Sequence, residues 1–411
     1  MLPGEFYRLS EQILVDSIKY PTVLGEAYED IVNYYAEVLR KHGVETSIIR
    51  VPEEYLKKNL PPDYHPERPR YILLARIGSG DKILQFNGHY DVVFPGEGWS
   101  VTEPFKPVVK DGKIYGRGST DMKGGIAAFL AAMIYAAEKL SDLDIVVEAA
   151  IVPDEEIGGL TGTGYLVREL KSRPTWVVIA EPSGEKVLWH GHKGAVWAEV
   201  IVKGRQAHGS VPFLGINAFE KMVYVAKHII ENYAPTLKRK KSKYNYDLPG
   251  GEYPTITLGG KLTSPGSINI VPGRVSFSID RRLIVEEKAS DVTEELRRAV
   301  EDASRAANAD TEIRFIQMMD PAFTDPEQDI VKAIVEVAKK VLGYEPRKTV
   351  CIGGLDMRYY TEVGVQAVSY GPGDPNVPHK VDEYMPVESL HRFVDIYVEL
   401  IKTLNEKYGS K

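Results

Sequence analysis

The sequence lacks the features that mark several classes of protein. Cys351 is the only cysteine in 411 residues, so no disulfide can form within the chain, and we expect a protein of a reducing compartment, the cytoplasm. No apolar run reaches the roughly 18 residues of a membrane span, and the N-terminal segment does not have the pattern of a secretory signal. We therefore expect no membrane partner and no export signal.

Charge of one sign is not in excess either. Lys plus Arg number 51 against 58 Asp plus Glu, and the net charge is −7. No strongly basic segment dominates the chain, so a nucleic-acid partner is disfavoured. With 43% hydrophobic and 27% charged residues, the composition is that of a folded protein and excludes a disordered or fibrous chain.

The order of apolar segments predicts two domains. Apolar runs at 82–87, 145–152, 175–180 and 365–370 are typical of strands buried on both faces by helices, and an Ala-rich crossover helix is expected at 126–140. From residue 191 the pattern changes to short strands with one wet face and two helices, expected at 212–233 and 286–306. The segment 318–326 is predicted to be a linker.

We therefore predict the α/β class, with a mixed sheet and an inserted smaller domain. The expected limits are 1–190 and 318–411 for the discontinuous α/β domain and 191–317 for the α+β insertion. The length suits this division, because a domain takes about 150 residues.

Polar residues follow the buried strands at the points where ligands bind in α/β proteins. Histidines or carboxylates follow the four apolar runs: His89 and Asp91, Glu155 and Glu156, Glu181, and, within a Gly/Pro loop, His379. Asp121 lies in a glycine-rich turn just before the predicted crossover helix. Because loops at the carboxyl ends of strands converge, we expect these side chains to share one crevice.

Histidines and carboxylates without a thiolate are the donors of a divalent metal site. They favour Zn²⁺, with Co²⁺ or Mn²⁺ as alternatives, and a bound cation would relieve the repulsion among the acids. The candidates outnumber the ligands of one tetrahedral ion. They suit two ions about 3.5–4 Å apart that share a carboxylate, a geometry of hydrolytic enzymes.

Five segments in this order resemble the M20 metallopeptidase family: GHYDVV, YGRGSTDMKGG, PDEEIGG, AEPSG and PHKVDEY. The family includes acetylornithine deacetylases, succinyl-diaminopimelate desuccinylases, aminoacylases, dipeptidases and carboxypeptidases. The resemblance implies a mixed-sheet catalytic domain interrupted by a lid domain that is often the site of dimerisation. It therefore implies a homodimer formed through residues 191–317.

The resemblance also assigns roles to the residues after the strands. One zinc would be held by His89, Asp121 and Glu181, and the other by Asp121, Glu156 and His379, with Asp121 as the bridge. Some relatives have Asp at the position of Glu181, and Glu there is similar to the deacylase and desuccinylase members. Asp91 would accept a hydrogen bond from His89, and Glu155 would be the general base.

Further roles fall in and after the inserted domain. His208 would stabilise the oxyanion, from the other subunit in dimeric members. Asn269 and Arg282, or Arg281 in place of Arg282, would hold a substrate carboxylate. The backbone amides of Gly353 and Gly354 would approach the substrate, but Leu355 departs from the Ser or Thr that many desuccinylases have at this position.

These inferences predict a metal-dependent amide hydrolase that acts on a small N-acyl amino acid or a short peptide with a free carboxylate. The favoured type is an N-acyl amino-acid deacylase such as an acetylornithine deacetylase or succinyl-diaminopimelate desuccinylase. A dipeptidase or carboxypeptidase of the same family is the alternative. An inactive ligand-binding relative is the alternative from another class.

Overall fold

The computed structural model describes residues 2–409, which form two compact units. The first unit comprises the chain up to His190, Thr324–Lys348 and the chain from Leu355 onwards. The second comprises Gly191–Phe323 and Thr349–Gly354. Among the described residues, no helix is long and apolar enough to cross a membrane.

Helices and strands are numbered along the chain. The helices are α1 (Gly4–Ile18), α2 (Tyr28–Lys41), α3 (Glu53–Asn59), α4 (Gly124–Lys139), α5 (Thr163–Arg168), α6 (Ala218–His228), α7 (Ala234–Leu237), α8 (Ala289–Ala307), α9 (Asp329–Leu342), α10 (Met357–Thr361) and α11 (Val387–Tyr408). The strands are β1 (Glu45–Arg50), β2 (Tyr71–Ile77), β3 (Ile83–His89), β4 (Val108–Lys110), β5 (Lys113–Tyr115), β6 (Val146–Val152), β7 (Trp176–Ile179), β8 (Val187–His192), β9 (Gly194–Lys203), β10 (Ala207–His208), β11 (Thr255–Thr263), β12 (Ile270–Val271), β13 (Arg274–Leu283), β14 (Asp310–Met319), β15 (Ala322–Phe323), β16 (Arg347–Cys351), β17 (Gln366–Ser369) and β18 (Tyr384–Pro386).

A mixed sheet forms the centre of the first unit. Six of its strands run in the order β1-β2-β6-β3-β7-β17. The β1-β2 and β2-β6 pairs are antiparallel, whereas β6, β3, β7 and β17 are parallel to one another. The parallel strands are the four apolar runs of the sequence, and their burial pattern is nearly continuous.

The Ala-rich helix α4 is buried on almost every side. It packs against α1 and α11, and its small residues allow close approach: a Cβ on Gly125 would lie 2.1 Å from the backbone oxygen of Ala180. A helix that is apolar all round belongs in the interior of a large domain. The crossover helix expected from the sequence is therefore present, and it begins two residues earlier, at Gly124.

The second unit is a four-stranded antiparallel sheet in the order β11-β13-β9-β14, with α6 and α8 on one face. Val200 and Phe277 of the sheet pack in one core with Val225 of α6 and Leu296 of α8. Each such side chain contributes about 1.5–3 kcal/mol when fully buried.

Two expectations for this region need correction. The helix predicted at 212–233 begins only at Ala218, because the side chain of Asn217 accepts the backbone N–H groups of Phe219 and Glu220 and so caps α6 there. The predicted linker at 318–326 contains the last residues of β14 and all of β15, which pairs with His192 and Gly191 of β8. The second unit includes residues up to Phe323.

Candidate metal centre

Parallel pairing brings the carboxyl ends of four strands to one edge of the first unit's sheet. His89 pairs with Val152, and Ile179 pairs with both Asn87 and Ser369. The loops that follow β6, β7 and β17 therefore start beside the end of β3. These loops carry the predicted site residues Glu155 and Glu156, Glu181, and His379.

Asp121 lies between two histidines. Its Oδ1 is 3.2 Å from Nε2 of His89, and its Oδ2 is 3.2 Å from Nε2 of His379. The turn that carries it begins at Gly118, whose φ of 81° suits glycine, and leads directly into α4. One carboxylate thus presents each of its oxygens to a different histidine.

The two remaining predicted ligands each approach one of these histidines. Oε1 of Glu181 lies 3.5 Å from Nε2 of His89, and Oε2 of Glu156 lies 3.1 Å from Nε2 of His379. Ligand atoms of His89, Asp121 and Glu156 all lie within 4.8 Å of one another, and so do those of His89, Glu155 and Glu181. The structure therefore brings all five predicted metal ligands together in a single cluster.

The electrostatics of the cluster are those of crowded acids. Burial, reinforced by the charge of Asp121, raises the pKa of Glu156 and of Glu181 to about 7. Hydrogen bonds to Asp121 and Glu156 raise the pKa of His379 to about 10. For Asp121 the effect of burial is outweighed by the hydrogen bonds from His379 and His89, which leave its pKa below the ordinary range. Positive charge stabilises such a group of acids, and a divalent cation would supply it.

Glu155 lies beside the cluster. Burial raises its pKa well above the ordinary value, and the charge of Glu181 raises it further. Asp91 accepts the backbone N–H groups of Glu155, at 3.2 Å, and Glu156, at 3.1 Å. The carboxylate of Asp91 is 3.4 Å from Nδ1 of His89, while the backbone oxygen of Asp91 is closer to that atom, at 3.0 Å. Asp91 therefore contacts both a candidate ligand and the loop of the candidate base.

Sequence reasoning missed a buried ion pair beneath this loop. Nε of Arg70 lies 2.8 Å from Oδ2 of Asp154, and both side chains are almost inaccessible to solvent. Tyr28 and Thr161 also donate to Asp154, at 3.1 and 2.5 Å. Asp154 has a φ of 65° and immediately precedes Glu155, so the pair fixes the backbone from which the candidate base projects. The run of acids in PDEE was a signal for a charged partner of Asp154, but no local pattern identified Arg70 as that partner.

His208 and Asn269 lie next to each other in the second unit. The short strands β10 and β12 pair His208 with Ile270, and the backbone N–H of Gly209 donates to the oxygen of Asn269 at 2.8 Å. His208 is exposed, and its Nδ1 is 2.7 Å from Oγ of Ser210. A surface histidine with this partner is free to contact a molecule brought to this end of the unit.

Arg282 lies at the opposite end of the second unit's sheet. It pairs with Ala195, whereas Arg274, at the end near His208, pairs with Lys203. Its Nε is 2.9 Å from Oδ1 of Asp280. The alternative, Arg281, is fully buried and its Nη2 lies 2.6 Å from Glu287, so its fork is engaged inside the unit. Of the two arginines, Arg282 is the accessible one.

Gly353 and Gly354 form the loop that follows β16. The backbone N–H of Gly353 donates to Sγ of Cys351 at 3.3 Å. A Cβ on Gly354 would lie only 2.8 Å from Cε of Met319. The backbone of Gly354 therefore packs closely against the side chain of Met319.

A cluster of two histidines and three carboxylates at the strand ends of an α/β sheet, with Glu155 beside it, is typical of a metal-dependent hydrolase. The chain belongs to peptidase family M20/M25/M40, whose family model matches residues 85–403. This confirms the resemblance seen in the sequence and the expected class of enzyme, which hydrolyses amide or peptide bonds.

Among curated proteins, the chain is similar to a succinyl-diaminopimelate desuccinylase of Nautilia profundicola, with 29% identity over 349 residues that cover 81% of this chain and 87% of the relative. Among solved structures it is similar to a tripeptidase of Staphylococcus aureus, with a TM-score of 0.76, 20% identity and coverage of 97% and 99% of the two chains. An M20 family metallo-carboxypeptidase of Sulfolobus solfataricus has a TM-score of 0.75 and 22% identity, again covering 97% and 99%. These likenesses confirm the predicted mixed α/β fold.

Proposed function

We propose that this protein is a dinuclear N-acyl amino-acid deacylase of the acetylornithine deacetylase or succinyl-diaminopimelate desuccinylase type. The observation that carries the proposal is the position of Asp121 between His89 and His379, with Glu155 beside them. Curated relatives with 27–29% identity carry the desuccinylase name, and Glu181 agrees with that type. Its substrate is then a small amide with a free carboxylate.

The donor set fits two divalent ions. His89, Asp121 and Glu181 would hold one, and Asp121, Glu156 and His379 the other. Imidazole and carboxylate donors favour Zn²⁺, with Co²⁺ or Mn²⁺ as alternatives. When bound, such ions polarise a carbonyl group and lower the pKa of water.

Glu155 then acts as the proton carrier. Its carboxylate accepts a proton from the attacking water and later donates it to the nitrogen of the leaving amine. One carboxylate can do both, because it takes the proton from water in the first step and returns it to the amine in the second. Asp91 fixes the backbone of this residue through the two amides that it accepts.

Substrate contacts come from the second unit and require two copies of the chain. Asn269 lies just before the Arg274 end of β13 and Arg282 near the other, and the eight residues from Arg274 to Arg282 span about 27 Å. One small substrate cannot touch both ends of one sheet. We infer that Arg282 of one copy and His208 with Asn269 of a second copy serve the same substrate, the arginine holding its carboxylate and the histidine its oxyanion.

The surface of the second unit supports this dimer. β11 is an edge strand of the sheet. The helix α6 packs against β13, the neighbour of β11, and against β9. Large apolar side chains are exposed on α6, on the segment before it and on β11: Phe213, Phe219, Val223, Tyr224 and Leu262. Several exposed large apolar side chains together with an unpaired strand edge are typical of an interface between copies.

A dipeptidase or carboxypeptidase is the second candidate, favoured by Leu355, which departs from the desuccinylase pattern. The deciding experiment measures bound metal and then hydrolysis of N-acetyl-ornithine, N-succinyl-diaminopimelate and a panel of dipeptides. The proposal expects kcat/KM for one of the N-acyl substrates to exceed that for every dipeptide. The reverse order would assign the protein to the peptidases, and a protein without bound metal would contradict the proposed centre.

A further inference from the structure

Glu383 accepts four hydrogen bonds, one from Arg117 and three from the turn that carries Asp121. Its Oε2 accepts Nη1 of Arg117, at 2.6 Å, and the backbone N–H of Gly118, at 2.9 Å. Its Oε1 accepts the backbone N–H groups of Thr120, at 2.9 Å, and Asp121, at 3.0 Å. The side chain is fully buried.

The backbone around Glu383 contacts the segment that leads into this turn. Its carbonyl oxygen accepts the N–H of Gly116 at 2.9 Å, and Tyr384 pairs with Tyr115 where β18 joins β5. Glu383 also follows His379 by four residues in the same loop. One residue therefore connects the turn of the shared carboxylate with the loop of the second candidate histidine.

Arg117 strengthens this connection. Its Nη2 donates to the backbone oxygen of Pro95 at 3.0 Å and reaches that of His379 at 3.5 Å. The guanidinium group thus links Glu383 to the backbone of a candidate ligand. Both charged partners are almost inaccessible to solvent, so the pair tolerates little displacement.

We propose that Glu383 is a positioning residue that fixes Asp121 and His379 for metal binding, and this inference rests on the proposed function. Every acceptor site that the structure uses on Glu383 faces an N–H group, so the carboxylate serves as a clamp and not as a ligand. A glutamine of the same shape must turn its own NH₂ group toward two N–H donors, whichever way the amide is oriented. The clamp therefore requires a carboxylate.

Glu383→Gln tests the inference, with Glu148→Gln as the matched control. Glu148 is also buried and also accepts from an arginine, Arg76, but it lies on β6 four residues before the strand end, about 13 Å from the edge that carries the site. The readouts are the dissociation constants and stoichiometry of Zn²⁺ and Co²⁺ by titration calorimetry on metal-free full-length proteins. Circular dichroism reports whether each variant is folded.

We expect Glu383→Gln to bind these ions at least about tenfold more weakly than the wild type, which is the usual effect of losing a partner that orients a ligand. Glu148→Gln should match the wild type. Equal metal affinity in a folded Glu383→Gln protein would overturn the inference and leave the proposed function intact. Failure of the wild type to bind either ion would instead remove the proposed function itself.

Amide hydrogen exchange on the metal-free wild type covers the case in which Glu383→Gln does not fold. If Glu383 holds the turn by itself, the amides of Gly118, Thr120 and Asp121 exchange slowly without metal. We expect protection of at least about 100-fold over the rates of an open chain. Exchange at open-chain rates in an otherwise folded protein would contradict the clamp.

Discussion

Oδ1 of Asp91 accepts the backbone N–H of Glu155 at a distance of 3.2 Å. Its other oxygen accepts the next amide, that of Glu156, so one carboxylate holds the candidate base and a candidate ligand in register. Asp91→Asn places an NH₂ group against one of these donors. We expect kcat to fall about 10- to 100-fold, with a parallel loss of metal affinity. Steady-state kinetics together with metal titration check this, and unchanged values in both would contradict the role of Asp91.

Glu155→Gln separates proton transfer from metal binding. The variant keeps the size of the side chain and removes the proton acceptor, so metal content should stay near the wild-type value. We expect kcat to fall by at least about 100-fold, the usual contribution of a general base. Elemental analysis and kinetics on the best substrate of the panel are the measurements. Full activity in Glu155→Gln would assign the base to another residue.

The clustering of the candidate metal ligands could be predicted from the sequence because their signal is local. Each of His89, Glu156, Glu181 and His379 follows a buried apolar run, and parallel strands necessarily end at the same edge. Asp121 was found from the glycine-rich turn before α4. The central strands followed from continuous apolar runs, and α4 and α8 were likewise expected from the sequence.

What the sequence did not predict depends on contacts between distant segments. Glu383 acts on backbone amides, which leave no trace in residue type, and its partners lie more than 260 positions away. Arg70 reaches Asp154 across 84 positions. The large distance between Asn269 and Arg282 arises because β12 runs on into β13 in the same direction, as the β10-β12 pairing continues the β9-β13 ladder. Residue type alone did not indicate this continuity.

Mixing two inactive variants tests whether His208 acts on the partner copy. Neither His208→Ala nor Glu155→Gln should be active alone. In an equal mixture that exchanges subunits, half the dimers are mixed, and each mixed dimer has one site with both residues intact, so activity should recover to about a quarter of the wild type. If His208 serves its own chain, every site in the mixture lacks one residue and no activity returns. The measurement is hydrolysis before and after denaturant-assisted exchange.

Arg70→Met tests the buried pair beneath the loop of Glu155. Removing the arginine leaves Asp154 charged and buried, which costs about 3–5 kcal/mol of unfolding free energy. Arg168→Met is the matched control, because Arg168 pairs with Glu362 at the surface and such a pair contributes about 0–1 kcal/mol. Urea denaturation of both variants measures the difference. Equal losses in the two proteins would contradict a special role for Arg70.

The lowered pKa of Lys193 predicts that the free energy of unfolding rises with pH. Its Nζ donates to the backbone oxygen of Tyr253 at 2.7 Å, and burial, together with the charge of Arg281, lowers its pKa from 10.5 to about 8. Between these values the unfolded chain binds more protons than the folded chain, so the free energy of unfolding increases as pH rises from about 8 to about 10.5. Lys193→Met removes this dependence.

The measurement is urea denaturation of wild type and Lys193→Met across that pH range, compared as a difference. We expect the free energy of unfolding of the wild type to rise relative to that of Lys193→Met as pH rises. Lys240→Met is the control, because the pKa of Lys240 shifts in the opposite direction. Burial lowers the pKa of Lys240, but hydrogen bonds to Glu295 and Glu287 outweigh this effect and raise it. The stabilisation by Lys240 is then fully present below pH 10.5, and its difference curve stays flat from 8 to 10.5. A flat curve for Lys193→Met as well would show that Lys193 is charged in the folded protein throughout this range.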